Sequence, residues 1–238
     1  MLAGVNIGLM ESSGSSKRAY HHGDLRNALI AAAAELAAKG GPGSVSIRAA
    51  ARAVGVTPTA AYRHFAGQEE LLGAAKDRAL EALSEAMHKQ LSSRPQSDDP
   101  VRYALGSLAA LGRGYIAFAR TEPGLFGTVF SPEGPTMGNA GERSQGPFQL
   151  LLESLDELVA VGYLSQDRRP LAEVAAWSTM HGLAVLLGGP LRDMAPETRD
   201  EAVVKAMLIF GHGLSGNGLT PAQEAVLAAE MTAGRVAS

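Results

Sequence analysis

The stretch Ser46–Phe65, SIRAAARAVGVTPTAAYRHF, narrows most sharply what this chain can fold into. It reads as two short helices joined by a tight turn. Ser46 is placed to cap a helix from about Ile47 to Val54, and Thr57, with Pro58 in the first turn, to cap the next. Gly55 lies between them and supplies the tight turn. Ile47, Ala50, Val54 and Val56 fall on the inward face. Ala50 and Ala51 are small enough for two short helices to cross closely, and Phe65 points back into the same core. Helices joined in this way form a helix-turn-helix, which seats its second helix in the major groove of DNA.

On that reading the exposed side of the second helix carries the contacts. Thr59, Ala60 and Arg63 are the candidates for base edges: a guanidinium suits a guanine edge, and a threonine offers a hydroxyl or a methyl. Thr57, Tyr62 and His64 are better placed for phosphates, which position a reader without specifying sequence. Arg48, with the backbone N–H groups at the helix starts, adds to the phosphate set. The plainer alternative puts Tyr62 in the core and leaves Arg63 and His64 as solvated surface. Lys17, Arg18, His21 and His22 are either a basic arm ahead of the first helix or its frayed end.

The remainder reads as all-α. Leu25, Leu29, Ala32, Ala33 and Leu36 put one apolar face on a helix over 24–39, ended by Gly40 and Gly41. A long helix over 69–91, with Leu71, Leu72, Ala75, Leu80, Leu83 and Met87 in its stripe, is the expected strut between domains. Further helices are expected over 100–120, 125–129, 148–160, 171–187 and 197–212, with a weaker one over 221–235. Ser131–Gly146 is rich in Gly, Pro and Ser and reads as a loop. No stretch alternates as a strand does. The expected organisation is a flexible leader over 1–19, a three-helix DNA-binding domain over 20–67, and a larger helical regulatory and dimerisation domain over 68–238.

Charge follows the same division. Residues 1–65 carry seven Lys and Arg against three Asp and Glu, whereas 66–238 carry 14 against 21. A basic module on an acidic body concentrates phosphate contact at one end. The chain has no cysteine, which excludes disulfides, thiol nucleophiles and cysteine-ligated zinc. No apolar run approaches the roughly 18 residues of a membrane span. The apolar residues at the N-terminus precede its basic pair, the reverse of a secretory signal, so a cytoplasmic protein without membrane contact is expected.

From Tyr20 to about Arg78 the chain resembles the DNA-binding domain of TetR-family transcriptional regulators. The resemblance lies in LRNALIAAAAELAAKG, in SIRAAARAVGVTPTAAYRHF and in the following QEELL. It implies a homodimer in which each subunit joins three DNA-binding helices to a helical ligand domain. Such proteins are usually repressors released by a small molecule. Gln68 departs from the family, which commonly has a lysine there on a phosphate. Gln68 keeps a hydrogen-bonding group but no charge, so either DNA affinity is weaker or its salt dependence is shallower by about one phosphate contact.

The body carries a second resemblance. Trp177-Ser178-Thr179-Met180-His181-Gly182, preceded by VGYL at 161–164, is similar to the tryptophan–His-Gly signature of one TetR-type C-terminal subclass. In this family the last two helices form the dimer interface, for which Trp177, His181, Ala184, Val203, Met207, Phe210 and Gly211 are the candidates. Intrasubunit core is the competing reading for each. A ligand cavity among the middle helices would draw on Tyr103, Leu111, Tyr115, Phe118, Phe126, Phe148, Leu152, Trp177 and Met180. That wall is mostly apolar, with phenol hydroxyls as polar handles, and suits a small apolar or aromatic effector. No phosphate loop, serine elbow, metal motif or paired carboxylate points to an enzyme, and no cofactor or metal is expected. The competing functions are a helical interaction module without DNA preference and a regulator that activates.

Overall fold

The computed structural model describes residues 16–132 and 146–216, together with 220, 223 and 226. All regular structure among them is helical. In chain order the helices are α1 (Ser16–Gly40), α2 (Ile47–Val54), α3 (Pro58–Ala61), α4 (Gln68–Ser92), α5 (Pro100–Thr121), α6 (Pro123–Val129), α7 (Pro147–Ala160), α8 (Ala172–Gly188) and α9 (Pro196–Ser215). Residues 1–15 of the expected leader, most of the loop over 131–146 and most of the last helix over 221–235 fall outside the described residues, while 16–19, expected in the leader, belong to α1. The side chains of Lys17, Arg18, His21 and His22 also fall outside the described residues.

Local chemistry sets the boundaries. The Ser46 hydroxyl accepts from the Ala49 N–H at 3.2 Å, and Thr57 Oγ1 accepts from the Ala60 N–H at 3.3 Å. Gly55 closes α2 at φ 80°, in the left-handed region. Asp99 Oδ1 accepts from the N–H groups of Val101 and Arg102 at 3.0 and 3.2 Å, capping α5 just before Pro100. α1 begins at Ser16 rather than at Asp24, because nothing between them stops a helix except Gly23, which a helix tolerates at a cost of about 1 kcal/mol. After α1 the chain makes a 3-10 turn over Pro42–Ser44. Ser44 Oγ lies 2.6 Å from the carbonyl oxygens of both Leu36 and Gly41, which ties that turn to the end of α1.

The helices enclose an N-terminal core and a body core. Leu29, Ala33, Val45, Ile47, Ala50, Ala51, Ala61 and Phe65 fill the first, and the opening turns of α4 add Leu71, Leu72 and Ala75. Phe65 is 1% exposed and is its largest side chain. Further along, the same helix α4 gives Leu83 and Met87 to the body core. One continuous helix therefore belongs to both cores. α5 packs tightly on it through Gly114, where a Cβ would stand 2.6 Å from the Met87 Cα.

Candidate functional site

Around the N-terminal core the candidate DNA-contacting residues differ in exposure. Arg48, Thr57, Thr59, Tyr62, Arg63 and Gln68 are exposed, and Ala60 and His64 are half-buried. Tyr62 keeps 52% of its surface, so it is not a core residue in this chain, whereas Phe65 is fully inside. α3 itself is short and continues as a turn over 62–64. That turn leaves Tyr62 and Arg63 exposed. Arg26 on α1 stacks over the Phe65 ring at 4.9 Å and reaches Glu70 on α4 at 3.4 Å. Glu70 in turn accepts from the Ala66 N–H at 2.8 Å, which holds the link from α3 to α4. Arg52, which sequence reasoning passed over, is also exposed on α2.

The body holds an apolar cavity of about 60 Å³. α4 contributes Leu83 and Met87, α5 Leu111, Gly112 and Tyr115, α7 Phe148, α8 Trp177 and Met180, and α9 Met207 and Phe210; Phe130, just after α6, closes one side. Of the nine residues expected on such a wall, Leu111, Tyr115, Phe148, Trp177 and Met180 are on it. The other four stand elsewhere. Tyr103 sits under the Arg94 guanidinium at 4.1 Å and bonds to it. Phe118 is buried in the body core and Phe126 packs edge-on against Tyr115, behind the wall. Leu152 is half-buried on α7. Met87, Phe130, Met207 and Phe210 are wall residues that periodicity alone does not reveal.

Three polar groups meet at the cavity's edge. The Trp177 Nε1–H donates to the Tyr115 hydroxyl at 3.3 Å, and that hydroxyl lies 2.8 Å from His181 Nδ1. Either the phenol donates to Nδ1 or Nδ1–H donates to the phenol, according to the imidazole tautomer. Burial pushes the Tyr115 phenol above its ordinary range, against the opposing hydrogen bond from Trp177, so it stays neutral. Burial likewise holds His181 below the ordinary histidine value, and its ring lies 4.5 Å from that of Phe130 and 5.5 Å from that of Phe126.

The His181 shift has a signed consequence. In the unfolded chain this imidazole titrates near about 6.5, and in the fold it titrates lower. As pH falls, the unfolded state takes up the proton first. Its contribution to stability is therefore complete above about 6.5 and is lost as pH falls from there through the lower folded value. Melting temperatures measured across that range should fall more steeply for the wild-type chain than for His181→Gln. Equal slopes would mean that His181 takes its proton as readily in the fold as out of it.

α6 joins the cavity to the N-terminal core. Phe126 and Phe130 stand against Tyr115 and His181. At its other end Gly124 lies so close to the end of α1 that a Cβ there would be 2.3 Å from the carbonyl oxygens of both Ala37 and Ala38. Just beyond α6, the Ser131 carbonyl accepts from Lys76 Nζ of α4 at 2.7 Å.

The residues expected at a dimer face mostly turn inward within one chain. Met207 and Phe210 line the cavity, His181 bonds to Tyr115, Ala184 is buried, and Val203 packs on the body core. Trp177 lines the cavity, and the Gly211 carbonyl accepts from the Tyr163 hydroxyl at 3.0 Å. The outward face of α8 and α9 is made instead by Val174, Val185, Leu186, Val204, Leu208 and Ile209, all substantially exposed. Gly182 lies on that face with nothing within 4 Å of its Cβ position. Leu171, at the start of α8, is 70% exposed and has φ 63°, in the region that disfavours a leucine.

Among the described residues no group of three or more His, Asp or Glu side chains is placed to hold a metal, and no helix is long and apolar enough to cross a membrane.

Two family models match separate parts of this architecture. Residues 29–75 match the model for bacterial regulatory proteins of the tetR family, and residues 108–210 match the model for a tetracyclin repressor-like C-terminal domain. No curated protein matches the chain. Among solved structures, a protein of unknown function from Rhodococcus sp. RHA1 superposes with TM-score 0.66 at 28% identity, covering 82% of this chain and 98% of its own. NalD, the secondary repressor of the MexAB-OprM multidrug efflux pump in Pseudomonas aeruginosa, superposes with TM-score 0.51 at 23% identity, covering 80% of this chain and 96% of its own. A protein from Shewanella sp. PV-4, provisionally assigned to the tetR family of transcription regulators, gives 0.56 at 17% identity, covering 80% and 97%. The chain has the fold of the TetR-family transcriptional regulators.

Proposed function

We propose that this chain is a homodimeric transcriptional repressor, released from a palindromic operator by a small apolar or aromatic ligand. The observation that carries the reading is an apolar pocket lined in part by α4, the helix whose opening turns pack in the helix-turn-helix core. Thr59, Ala60 and Arg63 read base edges, while Arg48, Thr57, Tyr62, His64 and Gln68 hold phosphates. The exposed apolar stripes of α8 and α9 meet their twins in the second copy, in an isologous interface. The convergence of Trp177 and His181 on Tyr115, one residue before Gly182, supports membership of the tryptophan–His-Gly subclass.

Release follows from geometry. Two recognition helices enter successive major grooves only when about 34 Å apart. A ligand that spreads the cavity displaces Phe130 and α6, and with them the end of α1. It thereby favours dimers whose heads stand at another separation. The domains act as drawn from the sequence, with a reader over 20–67 and a regulatory body over 68–238, and α4 is the strut common to both.

Selection from random duplex DNA at fixed salt tests the reading. The expected product is a palindrome with half-sites one helical turn apart. Folded protein that enriches no sequence would return the chain to a helical interaction module. On the selected site, Arg63→Ala should lose about 1–3 kcal/mol of discrimination at one base pair, measured by competition against the single-base variants. Unchanged discrimination would take Arg63 out of base reading.

A further inference from the structure

We infer that the cavity takes an uncharged ligand that forms no hydrogen bond inside it: a hydrocarbon, or the hydrocarbon part of a larger molecule, rather than an acid, an amine or an alcohol. This rests on the reading of the cavity as the effector site and goes further, to the chemistry the wall accepts. No charged side chain lines the cavity among the described residues. A carboxylate or ammonium entering it would lose its hydration with no counter-charge to meet. The polar groups on the wall are the Tyr115 hydroxyl and the Trp177 N–H, and both are already engaged. The one indole hydrogen goes to Tyr115, and the phenol is paired with His181 Nδ1. With the phenol donating to Nδ1, a ligand acceptor finds no free donor. A ligand donor meets only the second lone pair of the Tyr115 oxygen. The phenol expected to serve as a handle is closed off by its own neighbours, and the other candidate phenol, Tyr103, is bound to Arg94 away from the wall.

The size of the cavity points the same way. At about 60 Å³ it is well below the roughly 150 Å³ of a cavity that admits benzene, so any ring must make room. The lining that yields most readily is Met87, Met180 and Met207, unbranched and polarizable. Gly112 leaves them the space: a Cβ there would stand 3.0 Å from Met207 Sδ and 3.6 Å from Met180 Cε. Thioethers that reshape around a ligand supply dispersion contacts and no directed hydrogen bond.

The test compares three probes on one ring frame, namely methylcyclohexane, cyclohexylmethanol and cyclohexanecarboxylate, against the full-length protein. Trp177 is the only tryptophan and lies in the wall, so its emission reports the cavity directly. The hydrocarbon should shift that emission saturably. The alcohol should bind at least about tenfold more weakly, having a hydroxyl to bury without a full set of partners. The carboxylate should give no response. Tyr115→Phe frees the Trp177 N–H and His181 Nδ1, so the alcohol should gain about tenfold relative to the hydrocarbon in that variant. An alcohol or carboxylate that binds the wild-type protein as tightly as the hydrocarbon would overturn the inference and leave the cavity a ligand site. If none of the three moves Trp177 emission, the effector-site reading falls, and this inference with it.

Discussion

Replacing Gly124 by alanine should destabilise the protein by about 3 kcal/mol, whereas the same replacement at Gly127, three residues along the same helix, should be neutral or stabilising. At Gly124 the new methyl would lie 2.3 Å from two carbonyl oxygens and 2.7 Å from a carbonyl carbon of α1, all of them backbone atoms. No rotamer relieves such a contact. α6 and α1 must separate, and overpacking of this kind typically costs about 1–3 kcal/mol, here at the upper end because no flexible side chain can give way. At Gly127 nothing lies within 4 Å of the added methyl, and alanine is the better helix former by up to about 1 kcal/mol. For a chain of this size, about 3 kcal/mol lowers the melting temperature by roughly 6–12 °C. A calorimetric scan of the two variants beside the wild type decides it. Equal effects at the two positions would show that α6 does not bear on α1 as closely as these distances require. The same substitution speaks to function. If α6 transmits the state of the cavity, then Gly124→Ala protein that still folds should respond to the hydrocarbon at Trp177, with DNA affinity that no longer follows.

How much of this was legible in the sequence depended on what each residue had to satisfy. The bounds of α2 and the start of α3 were readable because Ser46, Gly55 and Thr57 answer to backbone groups within four residues of themselves. Phe65 was readable as core, since a phenylalanine closing a helix-turn-helix has only the inside to go to. The cavity wall was half readable. Tyr103 and Tyr115 lie on the same helix, and periodicity turns both inward. It says nothing of which neighbour each meets, and Tyr103 meets Arg94 while Tyr115 meets Trp177 and His181. Met207 and Phe210 were harder still. α9 carries Val203, Val204, Met207, Leu208, Ile209 and Phe210 in quick succession, so apolar residues surround the helix and no one face announces itself. Only the position of α5 tells that Met207 looks into the cavity and Leu208 away from it. The closeness of Gly124 to α1 was not readable at all, because it is a contact between backbones far apart in the chain.

That division of α9 makes the second large effect. Val204→Glu together with Leu208→Glu should turn the proposed dimer into a monomer and weaken operator binding by a factor of about 100 or more. The two side chains lie four residues apart on the outward side of α9, with 57% and 53% of their surface exposed in the single chain. Charging them therefore leaves both cores intact, and circular dichroism should be unchanged. In a two-fold interface each substitution acts twice. Burying a valine or leucine contributes on the order of 1.5–3 kcal/mol, and four such contributions would be lost, with four carboxylates facing one another in their place. The effect on DNA follows from linkage rather than from any contact with DNA. A dimer binds its second half-site as an intramolecular event, which raises overall affinity by about 10²–10⁴ over one head alone. A monomer keeps Arg63 and the phosphate contacts but loses that factor. Sedimentation gives the mass and a binding titration gives the affinity. A monomer that still held the full palindrome tightly would remove the dimer from the mechanism. A double variant that stayed dimeric would move the interface off this face of α9.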